Sequence, residues 1–370
     1  MPSTATSTLL SAGPVLFAPD VSDDGTAVLF AADVARATIH AFELPAEAAT
    51  GEAAEVSVDQ LGTKLASLLG VDREDAVIRG MTVHPVSRAV FLSVARGRGA
   101  EAGPAVVRVG TDGDLSVVDV DDLPVTSFVL DDAPAADDER LDAWLDGSSE
   151  SSAPMEIHGI TLNIARVPAA RSTITGLAWV DGTLFVAGLS NEEFSSRLRQ
   201  LRYPFDGAAT ETSVEIFHVD HGKYETQSPI RALTSFDGGS SILASYTCTP
   251  VVQFSVDQLK GEGLVRGRTV AELGPMNQPF SIVSYDRDGE EFLLVSNTRH
   301  PLLKIPAVSI NSQDALTVPM SEPDHSLGIP REELDHPGIT WMANLDRGSV
   351  VAVQRDDDDT NLRTFRAADL

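Results

Sequence analysis

The sequence is poor in positive charge. It has 27 lysine and arginine residues against 55 aspartate and glutamate residues, which gives a net charge of −28 at pH 7. Only four of the basic residues are lysines, namely Lys64, Lys223, Lys260 and Lys304. Because a field of this sign repels phosphates and anionic lipid head groups, we predict no nucleic-acid partner and no membrane partner. A surface this acidic indicates a soluble protein.

The sequence also lacks the features of disulfide-rich, membrane-spanning and exported proteins. Cys248 is the single cysteine, which excludes an intramolecular disulfide. No apolar run approaches the roughly 18 residues that a transmembrane helix needs. Residues 1–17 do not combine a basic segment with a long apolar core, as a signal peptide would. We therefore expect a cytoplasmic protein, with export behind a removed leader as the alternative.

A repeated pattern of two apolar runs joined by a polar turn dominates the rest of the sequence. Asp-Gly dipeptides begin at Asp24 and Asp112, and such a dipeptide between apolar runs is a strong hairpin signal. Four later turns lie 51 to 58 residues apart, at Asp181, Asp237, Asp288 and Asp346. A repeat of this period is typical of a β-propeller blade, which has four antiparallel strands.

The repeat predicts an all-β fold in which residues 1–370 form a single β-propeller domain of six or seven blades. A seventh blade would use the strand-like runs at 125–132 and 156–167. We expect an insertion at 45–75, in which helical spacing of apolar residues predicts a short helix near 55–70. Residues 131–154 are acidic and serine-rich, so we expect a second insertion or exposed loop there.

In a propeller, the loops after the second strands and the segments leading into the first strands open on one face. In this sequence those loops hold most of the unusual polar residues, so we expect a binding site on this loop-rich rim of the channel. The stretch 214–249 gathers His218, His221, Lys223 and Cys248. Two imidazoles and one thiolate suit zinc or copper. In the competing interpretation, the histidines are structural and Cys248 is a small buried apolar residue.

Other rim residues are candidates for contacts to a ligand. Arginine and lysine side chains there suit a carboxylate or phosphate, although salt bridges to nearby acids explain them equally well. The predicted ligand-binding residues are Asn191, Lys223, Tyr224, Arg231, Tyr246 and Arg299.

Units such as PFSIVSYDRDGEEFLLVSNTRHPLLKI (279–305) resemble the blades of NHL-repeat and gluconolactonase-type β-propellers. The stretches GLSNEEF, IFHVDHGKYET, SPIRAL, SYTCTP and TVAELG are also similar to an uncharacterised group of bacterial propeller-like proteins. The lactonase resemblance implies Glu, Asn and Asp ligands around a central cation. Here it implies calcium or another hard divalent ion, and our candidate ligands are Glu192, Asn277, Asn297 and Asp335.

The sequence leaves open whether the protein is an enzyme. The first hypothesis is a propeller that binds a small molecule, metal ion or protein at the rim. The alternative is a metal-dependent, lactonase-like hydrolase at the channel mouth, with His300, His336 and Glu192 as catalytic candidates. The sequence has no GxSxG, P-loop, GxGxxG or HExxH motif, so it lacks support for the activities that depend on them.

Overall fold

The computed structural model describes residues 8–50, 55–97, 102–144, 154–157, 160–163, 165–247, 250–261, 263–274, 277–320, 327–356 and 359–370. The chain divides into two compact units, which are described separately. The first comprises residues 1–131 and 359–362, and the second comprises residues 132–358 and 363–370. The prediction of a single domain remains a prediction. Among the described residues, no helix is long and apolar enough to cross a membrane.

The described residues of the first unit form two sheets and one α-helix. Its elements are β1 (Val15–Phe17), β2 (Ala27–Asp33), β3 (Thr38–Leu44), α1 (Leu61–Leu69), β4 (Ala76–Val83), β5 (Val90–Arg96), β6 (Gly103–Val109), β7 (Leu115–Val118) and β8 (Val125–Val129). Blade 1 has the strand order β1-β2-β3-β8, and blade 2 has the order β4-β5-β6-β7. Helix α1 confirms the predicted helix, and its buried residues include Leu61, Leu65 and Leu69.

The later part of the chain begins with two ribbons and the strands of blade 3. Its elements are β9 (Leu141–Trp144), β10 (Pro154–Ile157), β11 (Ile160–Asn163), β12 (Ala165–Pro168), β13 (Gly176–Val180), β14 (Thr183–Leu189), β15 (Ser196–Arg202), β16 (Ala209–His218) and β17 (Lys223–Glu225). Blade 3 has the order β13-β14-β15-β16-β17. Strands β9 and β12 form one two-stranded ribbon, and β10 and β11 form another.

Blades 4, 5 and 6 follow. Their elements are β18 (Ile230–Phe236), β19 (Ser241–Tyr246), β20 (Pro250–Ser255), β21 (Gly263–Arg266), β22 (Arg268–Glu272), β23 (Pro279–Arg287), β24 (Glu290–Asn297), β25 (Leu302–Pro306), α2 (Ala307–Ser312), β26 (Leu327–Gly328), β27 (Glu332–Leu334), β28 (Ile339–Asp346), β29 (Ser349–Arg355) and β30 (Thr360–Arg366). Their strand orders are β18-β19-β20-β22-β26, β23-β24-β25-β27 and β28-β29-β30, and β21 pairs in parallel with β16 of blade 3.

The described strands therefore form the six blades of a β-propeller, which confirms the predicted fold class. The seven-blade alternative is wrong. Strand β8 completes blade 1 by pairing with β3, so Val125–Val129 is not available to begin another blade. Strands β10, β11 and β12 of the second run lie in the ribbons, and among the described strands β12 pairs with β9 alone.

The hairpin turns follow the predicted chemistry. Asp181 and Gly182 have φ angles of 45° and 76°, and Asp288 and Gly289 have φ angles of 54° and 85°. Both pairs join the first and second strands of a blade, where a two-residue turn of this kind matches the twist of the strands.

The second strands are apolar runs that are largely buried, as β19 is along its whole length, because hydrophobic clusters fill the space between successive blades of the second unit.

A buried ion pair anchors blade 3. Arg199 on β15 is fully buried, and its Nε lies 2.8 Å and 3.0 Å from the two carboxylate oxygens of Asp132. Its remaining nitrogens donate to the carbonyl oxygens of Thr173 (3.1 Å) and Leu189 (2.9 Å). Burial lowers the pKa of Arg199, and the Asp132 carboxylate opposes that effect. The guanidinium thus ties the segments at residues 132 and 173 to blade 3.

Replacing Arg199 by Met tests this anchor. We expect the free energy of unfolding to fall by up to about 3–5 kcal/mol, because the variant removes the closest counter-charge of the buried Asp132 carboxylate and leaves Arg197 Nε at 3.5 Å. Urea unfolding followed by fluorescence reports the change, since Trp144, Trp179 and Trp341 all belong to the second unit.

Arg266→Met is the matched control, because the Arg266 side chain is 60% exposed in its pair with Glu215. Its effect should be far smaller, since exposed pairs add little stability. Adding Asp132→Leu to Arg199→Met should restore part of the loss. Equal effects of the two single arginine variants would contradict the anchor.

Candidate functional site

The histidine-rich stretch forms a short hairpin at the end of blade 3. Strands β16 and β17 pair so that His218 lies opposite Lys223 and Ile216 lies opposite Glu225. Residues 219–222 form the connecting turn, in which the Gly222 N–H donates to the Val219 carbonyl at 3.2 Å. Strand β17 therefore lies within the segment that leads into the first strand of blade 4.

The register of the hairpin decides which side chains meet. Side chains alternate between the faces of a strand, and diagonal neighbours on paired strands lie within reach of one another. His218 and Glu225 are such diagonal neighbours on one face. The opposite face carries Phe217 against Tyr224, with ring centroids 5.1 Å apart, and the Arg266 guanidinium lies 4.1 Å from the Tyr224 ring centroid.

The Glu225 carboxylate lies between two imidazoles. Its Oε2 is 2.9 Å from His218 Nδ1, and its Oε1 is 2.6 Å from His221 Nδ1. The Ser228 hydroxyl also donates to Oε2 at 2.9 Å. The two histidine rings lie with their centroids 3.9 Å apart. Within the described ranges, these three residues are the one group of at least three His, Cys, Asp or Glu side chains whose ligand atoms all lie within 4.8 Å of one another.

The cluster is closed on one side and open on the other. The side chains of His218, Glu225 and His221 are 2%, 13% and 42% exposed. Lys223, which is 65% exposed, places its Nζ 3.4 Å from Glu225 Oε1. Burial alone would raise the pKa of Glu225, but hydrogen bonds from His218 and His221 outweigh it and lower the pKa well below the usual range. Glu225 is therefore a carboxylate at neutral pH.

Of the predicted soft-metal ligands, the structure brings His218 and His221 together, while Cys248 lies outside the described residues. A thiolate ligand remains a prediction. Glu225 was missed by the sequence analysis. The spacing of Glu225 from the two histidines was visible, but only the hairpin register shows that its carboxylate reaches both rings.

Two of the four predicted oxygen ligands accept hydrogen bonds within the protein. Asn297 Oδ1 accepts the backbone N–H groups of Arg299 (3.1 Å) and His300 (2.7 Å), so it caps its own loop. Asn277 is fully buried, and its Oδ1 accepts the Thr298 hydroxyl at 3.2 Å. Glu192 on blade 3 and Asp335 before blade 6 are exposed. A hard-cation site built from these four residues remains a prediction.

The catalytic candidates are also engaged. His300 Nε2 lies 3.1 Å from the Leu273 carbonyl oxygen, and its Nδ1 lies 3.1 Å from Glu333 Oε1. The residue therefore joins the loop after β24 to the end of β22 and to β27. The ring of His336 packs on Phe365, with centroids 4.7 Å apart. Neither contact requires a catalytic role.

Two predicted ligand-binding residues are buried. Tyr246 is completely buried in the core between blades 3 and 4, where burial raises the pKa of its hydroxyl. Arg231 is 5% exposed, and its Nη2 lies 2.7 Å from Asp142 Oδ2. The same carboxylate oxygen accepts the Trp144 indole N–H at 2.9 Å. These positions give no support to surface contacts by Tyr246 and Arg231.

The other predicted ligand-binding residues are accessible to different degrees. Asn191 is exposed, Arg299 is half-buried, and Tyr224 is 41% exposed. Lys223 and Tyr224 lie on opposite faces of the β16–β17 hairpin, so they do not contact one small ligand from the same face.

No family model matches the chain, and no curated protein matches it. Among solved structures, the chain is similar to one described as "Crystal Structure of Mitotic Checkpoint Complex". The two share 10% identity at a TM-score of 0.37, and the match covers 99% of this chain and 95% of that chain. A likeness this distant carries no argument about function, which must be argued from the side chains.

Gly222→Ala tests the turn that brings His221 beside His218. Gly222 has a φ of 64°, and an added Cβ would lie 2.8 Å from Pro319 Cβ. Gly207 has a φ of 84° with open space around it, so Gly207→Ala is the matched control. We expect Gly207→Ala to lower the free energy of unfolding by about 1–2 kcal/mol, the usual cost of left-handed backbone. Gly222→Ala should cost more in the same urea titration. Equal costs would show that the Pro319 contact yields freely.

His300→Gln tests the contribution of this half-buried histidine to stability as a function of pH. Burial lowers the pKa of His300 below its ordinary 6.5, and Glu333 opposes that shift. The unfolded chain therefore binds this proton more readily, so stability is full above about pH 6.5 and declines as pH falls towards the folded pKa. Urea midpoints at about pH 8 and pH 5 should differ less in His300→Gln than in the wild type.

Glu333→Gln should change the pH dependence in the opposite direction, because it removes the charge that supports protonated His300. The decline in stability on acidification should then steepen. An unchanged difference between the two pH values in both variants would contradict this account of His300.

Proposed function

We propose that this chain is a metal-binding β-propeller in which His218, His221 and Glu225 hold a divalent transition-metal ion, zinc in the first instance. The β-propeller fold is a scaffold that supports binding of a ligand or a protein by its loops. The observation that carries the proposal is the ionised Glu225 carboxylate between two imidazole nitrogens, with all ligand atoms within 4.8 Å of one another.

The distances suit a metal after a small adjustment. Tetrahedral zinc bound at about 2.0–2.1 Å separates its ligand atoms by about 3.3 Å. The present Nδ1 to carboxylate distances of 2.6 Å and 2.9 Å are those of hydrogen bonds. Replacing the shared protons by a cation therefore requires each histidine nitrogen to move away from the carboxylate oxygen that it now contacts by less than about 1 Å. His221 is 42% exposed and lies in a turn, so it is the side chain best placed to move.

The ligand types favour zinc or copper over calcium. Imidazole nitrogens and a carboxylate oxygen suit zinc and copper, whereas calcium takes six to eight oxygen ligands. The net charge of −28 favours any cation near the surface. The Lys223 ammonium opposes cation binding, because it lies 3.4 Å from the Glu225 carboxylate, which is one of the proposed ligands.

The lactonase-like alternative has less support. It needs oxygen ligands directed at a common cation, but Asn297 Oδ1 already accepts two backbone N–H groups. Asn277 Oδ1 accepts the Thr298 hydroxyl. Binding, rather than hydrolysis, is the function that these contacts favour.

The experiment is a zinc titration of chelator-treated protein that carries no histidine tag, in competition with a chromophoric chelator. We expect one zinc ion per chain. His221→Ala and Glu225→Gln should each weaken binding by more than about a hundredfold, because losing even an outer-shell partner typically costs about 10- to 100-fold. Lys223→Ala should strengthen binding by about twofold to fivefold, as expected for removing an exposed like charge.

His336→Ala is the control, because it removes a histidine from a different loop. It should leave zinc affinity unchanged. Circular dichroism spectra that match the wild type would show that His221→Ala and Glu225→Gln remain folded. Wild-type affinity in both of these variants, or the absence of zinc binding by the wild type, would overturn the proposal.

A further inference from the structure

The proposed metal site is incomplete when only protein ligands are counted. His218, His221 and Glu225 supply three donors, whereas zinc-class ions take at least four ligands. A site with three protein ligands leaves a position for water or for an exogenous ligand.

The exposed fractions of the three side chains indicate that the open coordination position faces the turn between β16 and β17. His218 is almost completely buried, so protein covers its side of the site. His221 and Lys223 are the exposed members, at 42% and 65%. A ligand from solution therefore reaches the metal from the side on which Lys223 stands.

Lys223 changes its role when a metal binds. Without metal, its ammonium lies 3.4 Å from Glu225 Oε1 and forms an ion pair with that carboxylate. When Glu225 donates to a divalent cation, most of its negative charge is neutralised, and the ammonium is left beside a second positive centre. Two neighbouring cations then attract an anion that can contact both.

The other nearby charges do not replace such an anion. Arg266 and Glu215 pair with each other at 2.6 Å on the opposite face of the hairpin. Asp220 lies in the turn itself and is half-exposed.

From these observations we infer that the metal site, if the proposed function holds, takes an oxyanion as its remaining ligand, with one oxygen on the metal and another on the Lys223 ammonium. The class is a carboxylate or a phosphate, because each presents two or more oxygens on one centre and accepts charge-assisted hydrogen bonds. The metal and Lys223 together would then define a binding site for small anions on a protein that otherwise repels them.

Cobalt-substituted protein tests the inference, because the visible absorption of bound Co²⁺ responds to its ligands. Separate titrations with sodium acetate and inorganic phosphate distinguish the two anion classes. We expect a saturable spectral change with at least one of them. Lys223→Ala should weaken anion binding by about threefold to tenfold while cobalt binding becomes tighter, and this opposite response separates anion recognition from metal retention.

Lys260→Ala is the control, since Lys260 is equally exposed at 65% but pairs with Asp257 elsewhere. It should leave both affinities unchanged. If Co²⁺ binds and neither anion alters its spectrum, or if Lys223→Ala binds the anion as tightly as the wild type, the inference is wrong while the metal proposal stands. If Co²⁺ does not bind, the proposed function fails and the inference falls with it.

Discussion

The buried Arg199 guanidinium is the constraint on which the candidate site depends. A fully buried charge must be compensated in full, and Arg199 meets this need with Asp132 and with the carbonyl oxygens of Thr173 and Leu189. These contacts fix strand β15 against Asp132 and Thr173, which precede blade 3 in the chain, and against Leu189 at the end of β14. Strand β16 pairs with β15 along its first half, so the position of β16 follows. His218 is the last residue of β16, and its place is set by this chain of pairings.

Strand β16 also explains why the two faces of the hairpin differ. Its outer side pairs first with β21 and then with β17, so two short strands share one edge. The alternation of side chains sends Phe217, Tyr224 and Arg266 to one face. It sends His218 and Glu225 to the other face. Aromatic packing on the first face holds the register, and the register holds the carboxylate between the imidazoles on the second.

Local signals in the sequence were enough to predict the blades, but they did not predict every pairing between strands. The turns at Asp181 and Asp288 carry their own conformational preference, so they could be read without the rest of the chain. The pairing of β3 with β8 could not be predicted in this way, because the whole of blade 2 lies between these two strands in the sequence. For the site, the histidines were visible, but the contact with Glu225 depends on a four-residue turn without a strong dipeptide signal. The burial of Tyr246 depends on packing between blades, which no local pattern reveals.

The exposure gradient across the site has a consequence for how a cation would enter it. Glu225 is kept ionised by the same two hydrogen bonds that a metal must displace. His218 is enclosed, so its bond to Glu225 is protected from water, whereas the His221 bond is open to solvent. Under the metal-binding proposal, a cation would meet the His221 side first and would reach His218 only after the His221–Glu225 hydrogen bond had opened. The two histidines would then have different roles: His221 would control access to the carboxylate, and His218 would hold the carboxylate in place.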